Sequence, residues 1–203
     1  MGYSGRMGSL AGRVATAVVA LAVIAAGGGC RNSTSEQGGP PPAVTSPPDK
    51  PARDASAGDV AFLQNMIKHH EQALDLSALV PSHTDNDQIM AVMQRVAGQQ
   101  RAEMDGFRAQ LLQWEEPLAA PRGAHIDGML DQAAIDKLQS LHGADFDTLW
   151  LQSMIAHHRG AVTMAQAEIA HGQSPDVVSI ARSVAASQQA EVDRMEQLLK
   201  ELE

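Results

Sequence analysis

The chain has 203 residues, of which 44% are hydrophobic but only 3% aromatic, and it carries a formal charge of −9 at pH 7. An acidic chain without a basic run excludes nucleic acid as the expected partner and gives no reason to expect attraction to anionic lipid. Its single cysteine, Cys30, excludes an internal disulfide, so packing must stabilise whatever folds.

Residues 1–30 read as a signal peptide. Arg6 and Arg13 supply a positive leader, residues 14–26 are apolar yet short for a membrane span, and Gly27-Gly28-Gly29 lead into Cys30. A small-residue run ending in a lone cysteine resembles a bacterial lipobox, although Gly27 stands where such motifs usually carry an aliphatic residue. The resemblance implies lipidation at Cys30, a membrane anchor made of acyl chains and an extracytoplasmic location. Removing residues 1–29 takes away two arginines and no acid, which moves the formal charge from −9 to −11. Residues 31–58 are rich in Pro, Gly, Ser and Ala, with Pro40-Pro41-Pro42 and Pro47-Pro48, and bury too little apolar surface to fold. They are expected to be a disordered tether. Residues 59–203 remain as one domain, large enough for a real core.

That domain is written twice. DVAFLQNMIKHH at 59–70 returns as DTLWLQSMIAHH at 147–158, and His69-His70 and His157-His158 are 88 positions apart. The same offset pairs Asp59 with Asp147, Met66 with Met154, His83 with His171, Gln100 with Gln188, Glu103 with Glu191 and Leu111 with Leu199. A fixed offset without gaps defines two copies of one unit, 59–112 and 147–200.

Each copy reads as a helical hairpin. In the first helix Phe62, Met66, His69, His70, Ala73 and Val80 share a wide apolar arc at helical spacing. Pro81 and the Thr84-Asp85-Asn86-Asp87 cluster are expected to end it and to cap the return helix. There Ile89, Val92, Val96, Phe107 and Leu111 form one face that also carries Gln100 and Glu103. Residues 113–146 join the hairpins. Pro117, Pro121 and Gly123 break the chain, and Asp131 is placed to cap a short helix running to about His142. In the second copy Gly172 ends the first helix, and Ser174-Pro175 starts the next. Two antiparallel hairpins joined by a long connection predict an all-α, ferritin-like four-helix bundle with one crossover.

The polar groups on the inward faces are the candidate site. Neighbours on a helix point about 100° apart, so His69 and His70 cannot grip one ion as an i,i+4 pair would, and each reaches a different partner. A buried carboxylate needs a partner, and the histidines are the nearest candidates for Glu103 and Glu191. Histidine and methionine without cysteine suit copper or silver better than zinc or magnesium. The candidate ligands are therefore His69, His70, His157, His158, Met66, Met154 and Met164. Glu103, Glu191, Gln100 and Gln188 orient the imidazoles or ligate in turn. His83 and His171 are read as cationic caps of helix C-termini, and Glu168, matched by Val80 in the first copy, is discounted as a ligand.

The segment FDTLWLQSMIAHHRGAVTMA at 146–165 resembles the signature of the domain of unknown function 305 family, and the likeness extends over about 59–200. The first copy departs from it, with Gln72 for the usual Gly and Leu76 for the usual Met. The resemblance implies a bacterial envelope protein with a ferritin-like helical bundle. Some members of the family are associated with copper binding or copper resistance, which implies a similar role here.

The leading expectation is an envelope-tethered, copper-binding protein for sequestration or delivery, and not an enzyme. The alternative is a structural or interaction bundle, docking another envelope protein, in which a buried His–Glu network specifies packing. A ferritin-like oxidase ranks third, because di-iron bundles need more carboxylates than this core offers.

Overall fold

The computed structural model describes residues 55–202. The readings of residues 1–30 as a signal peptide, of Cys30 as a lipid anchor and of most of the tether lie outside the described residues. Among the described residues there are five helices and no strand: α1 (Ala57–His83), α2 (Asp87–Gln113), α3 (Gln132–Gln139), α4 (Gly143–His171) and α5 (Pro175–Leu202). None of them is long and apolar enough to cross a membrane.

The boundaries follow local chemistry. Ser56 accepts the Asp59 amide and starts α1 two residues before the expected end of the tether. Asn86 caps α2 through the Gln88 and Ile89 amides, and Asp131 caps α3 through Ala134. Ser174 caps α5, with Pro175 as its first residue.

Three expectations are corrected. Pro81 does not end α1, which continues to His83. So close to the C-terminus, a proline removes one ladder bond and is tolerated. The short helix stops at Gln139, where Ser140 closes the turn against Asp136 and Lys137. α4 then begins at Gly143, four residues before the expected copy boundary, and the positive φ of Gly143 lets the chain turn there.

The two hairpins pack as four long helices. Asp59, at the start of α1, accepts the amides of Gln173 and Ser174 in the turn after α4. Asp147, near the start of α4, accepts from Asn86 in the turn after α1. α1 and α4 therefore run antiparallel, and α2 and α4 run the same way. The connection must climb the whole bundle between them, which is the crossover the long linker predicts.

The core is divided in two. One apolar cluster gathers Leu76, Val80, Ile89, Val92, Phe146, Trp150, Met154 and Met195. The other gathers Phe62, Leu63, Met66, Met104, Phe107, Leu111, Val177 and Val184. Between these clusters in all four chain segments come the paired histidines and the Gln-x-x-Glu residues. A transverse polar layer thus cuts the bundle near mid-height.

Candidate metal centre

His69, His70, His157, His158, Gln100 and Gln188 are fully buried, and Glu191 nearly so. Their arrangement has approximate two-fold symmetry. The rings of His69 and His70 lie 6.1 Å apart at 56°, and those of His157 and His158 lie 6.1 Å apart at 55°.

The divergence of helical neighbours separates each pair into two roles. His70 Nε2 meets Glu103 Oε2 at 2.7 Å, and His158 Nε2 meets Glu191 Oε2 at 2.9 Å. Each is a contact within a hairpin. His69 and His157 instead face each other across the hairpins, with ring centroids 3.7 Å apart and planes tilted by 34°. No nitrogen of either ring makes a well-aligned hydrogen bond, and only backbone groups lie near them, those of His157 and Asp127 beside His69 and that of His69 beside His157; Nδ1 of His70 and of His158 also lacks a partner. Buried ring nitrogens so poorly partnered are costly.

Burial sets the charge state. Burial first, then the neighbouring His70 and His158, push the His69 imidazole down to about 3. Burial, then His69, His158 and His70, hold His157 well below the ordinary histidine range. Burial also lowers His70, with Glu103 pulling the other way. These three rings are neutral at pH 7 and keep a free lone pair, the form in which imidazole binds metal.

The carboxylates are less symmetric than the sequence. Glu103 accepts from Gln99 at 2.8 Å, Ser187 at 2.7 Å and Gln188 at 3.5 Å besides His70. Burial would raise its carboxyl, but the hydrogen bond from His70, with those from Gln99 and Ser187, leaves it below the usual range. Gln100 finds no partner for either side-chain atom.

The methionines stand above and below this layer. Met66 is buried in one apolar cluster and Met154 in the other, while Met164 is half-buried against the Met66 cluster. The structure brings the four histidines, two glutamates and Gln188 together. It does not gather the three methionines at one point. His83 Nδ1 lies 2.7 Å from the Leu79 carbonyl in the last turn of α1, and the ring stacks on His142.

Two groups escaped the sequence reading. Gln72, the departure from the usual Gly, clamps the connection by donating to the Leu130 carbonyl at 2.9 Å and accepting its amide at 2.8 Å. Glu168 lies beside Asp59 at the end of the bundle; burial, with the hydrogen bond and charge of Asp59, pushes it up to about 8. Matching at the fixed offset of 88 residues hid both, because each occurs in one copy only.

These features define a duplicated helical bundle with a buried histidine–glutamate layer on its pseudo-two-fold axis. The chain belongs to the DUF305 family, a domain of unknown function, whose profile matches residues 59–199. A DUF305 fragment from Deinococcus radiodurans is 30% identical, with 72% of this chain and 98% of that one covered and a TM-score of 0.68. A DUF305 protein from Streptomyces coelicolor, described as secreted, is 28% identical over 71% of this chain and 93% of its own, with a TM-score of 0.67. CopM in its Cu(I)-bound form is 24% identical over 70% and 96%, with a TM-score of 0.60. At that identity CopM shares the fold. No curated protein matches the chain.

Proposed function

We propose that this protein binds copper in the histidine layer and holds or delivers it outside the cytoplasm, tethered through a lipid at Cys30. One observation carries the reading: His69 and His157, one from each hairpin, face each other fully buried, and no side chain hydrogen-bonds to either ring. Neutral imidazoles with thioethers nearby form a donor set that suits Cu(I) and Ag(I). That CopM, similar in fold, has been solved with Cu(I), Cu(II) and silver supports the choice of metal.

The donors are not preassembled. Among the described residues no three His, Cys, Asp or Glu side chains converge as a chelate. The facing rings of His69 and His157 would have to turn about their side-chain bonds, and Met66 or Met154 would close in from the flanking clusters. Glu103 and Glu191 would keep His70 and His158 oriented. Copper would then join the two hairpins across the axis.

The already satisfied pairs His70–Glu103 and His158–Glu191 favour a second reading, a hydrogen-bonded layer that only fixes how the hairpins dock. Melting the full chain with Cu(I), Ag(I), Cu(II) and Zn(II) separates the two. A metal that binds only the native state at a hundredfold excess over its Kd adds about 2.7 kcal/mol, or a rise of roughly 5–10 °C in Tm. The rise should vanish in His69→Ala with His157→Ala. No rise with any of the four metals sinks the copper reading.

A further inference from the structure

The four rings of the layer are fully buried, so an ion reaches them only if part of the wall moves. Four long helices are poor candidates, because each is held along both apolar clusters. The connection is different. Residues 126–130 carry no helix, and among them Asp127 and Gly128 lie against His69 and His157 of the layer.

Their contacts are specific and light. The Asp127 carbonyl lies beside His69 and acts on its ring. Gly128, at φ +82°, rests on α4, where an added Cβ would stand 2.7 Å from the His157 carbonyl and 2.9 Å from Gly160 Cα. The Ile126 side chain is buried, and Gln72 holds Leu130 by two hydrogen bonds. Surface hollows undercut the segment on both edges, one against Lys68, Gln72 and Leu79 of α1 and one against Gln152 and Ala156 of α4. Met129 lines both hollows.

We infer that residues 126–130 are the removable wall of the histidine layer, and that a soft monovalent cation reaches His69 and His157 from this side after meeting the Met129 thioether. The inference rests on the copper reading, and it names the route to that site. Lifting the wall breaks the amide clamp and exposes Ile126 and the half-buried Leu130, which packs on one apolar cluster, leaving the helices in place. A thioether at the lip favours Cu(I) and Ag(I) over hard cations.

The test uses the full chain with Gln72→Ala and, separately, Gly128→Ala. The first removes the clamp, and the second forces the segment off α4 by adding a Cβ at a positive φ. Two rates are read: acylation of each histidine by diethyl pyrocarbonate without metal, and Ag(I) uptake by stopped flow. Both variants should accelerate acylation of His69 and His157, and Ag(I) uptake, by about tenfold, the weight of one or two hydrogen bonds. Met129→Ala should slow uptake several-fold while leaving acylation unchanged. Gly172→Ala, which loosens the distant α4–α5 turn, is the control for general destabilisation. Ag(I) binding with rates unchanged in both wall variants, or equal acceleration by Gly172→Ala, overturns the wall alone. Faster acylation with no Ag(I) bound by any variant overturns the copper reading and leaves the wall as the movable side.

Discussion

The first hairpin and the second are built on one pattern, yet they agree in one place and part company in another. On the axis they match closely: His70 with Glu103 and His158 with Glu191, and rings at the same 6.1 Å spacing. On the flank facing the connection they differ. The first copy has Gln72, which grips Leu130, and the second has Gly160, which lets the backbone of Asp127 and Gly128 close in. A position that meets its own counterpart must satisfy both roles at once, so a change in either copy upsets the same contact. A position that meets the connection has a partner with no counterpart, and is free to specialise.

The largest way to break this comparison is to cut the layer itself. Glu103→Ala strips the partner from buried His70 and from Ser187 and Gln99, and should cost about 3 kcal/mol in urea unfolding. Glu191→Ala removes the partner of His158 and should cost roughly 2 kcal/mol. Equal losses would mean that the extra bonds to Glu103 add nothing.

The flank should respond less, and unequally. Gly160→Ala places a methyl where the Asp127 carbonyl and Gly128 Cα already sit, and should cost about 2 kcal/mol. Gln72→Ala deletes two hydrogen bonds at a half-buried site and should cost about 1 kcal/mol. A neutral Gly160→Ala would show that the connection does not rest on α4 in solution.

The smallest effect is a pH dependence at the ends, where Val80 in one copy corresponds to Glu168 in the other. Glu168 moves from an ordinary 4.5 to about 8 on folding, so the native chain holds a proton that the unfolded chain has lost. Its contribution is full below pH 4.5 and is lost as the pH rises to 8. Glu168→Gln should flatten that alkaline decline in a Tm–pH series. His69 works in the opposite sense. Its native value of about 3 lies under the ordinary 6.5, so the unfolded chain takes up the proton first and stability falls as the pH drops from 6.5 towards 3. A Tm that is level across that acid window would contradict a neutral, buried His69.

Most of the fold was legible in the sequence because the hairpin, its caps and the crossover each follow from local signals. The 100° between neighbours also foretold that each His pair would split its partners. Which histidine turns to glutamate and which to the other hairpin was not legible. A helical projection gives the face of a residue, while the neighbour on that face depends on how the hairpins wind. Repeat matching also misled: Gln72 read as divergence and Glu168 as noise, yet both hold one-sided contacts. Pro81 does not stop α1, although a proline ring disfavours a helix interior, because two residues before the end the penalty is small.

The crossed aspartates have a consequence for how such a chain can exist at all. Asp59 secures the turn of the second hairpin and Asp147 that of the first. A hairpin alone would leave its aspartate idle, its turn unheld and its histidine layer open to water. It could recover all three by meeting a copy of itself about the same axis, as a C2 homodimer. The domain is thus a dimer written on one chain, in which a connecting segment replaces mass action with an effective concentration in the millimolar range. Assembly no longer depends on how much protein is present.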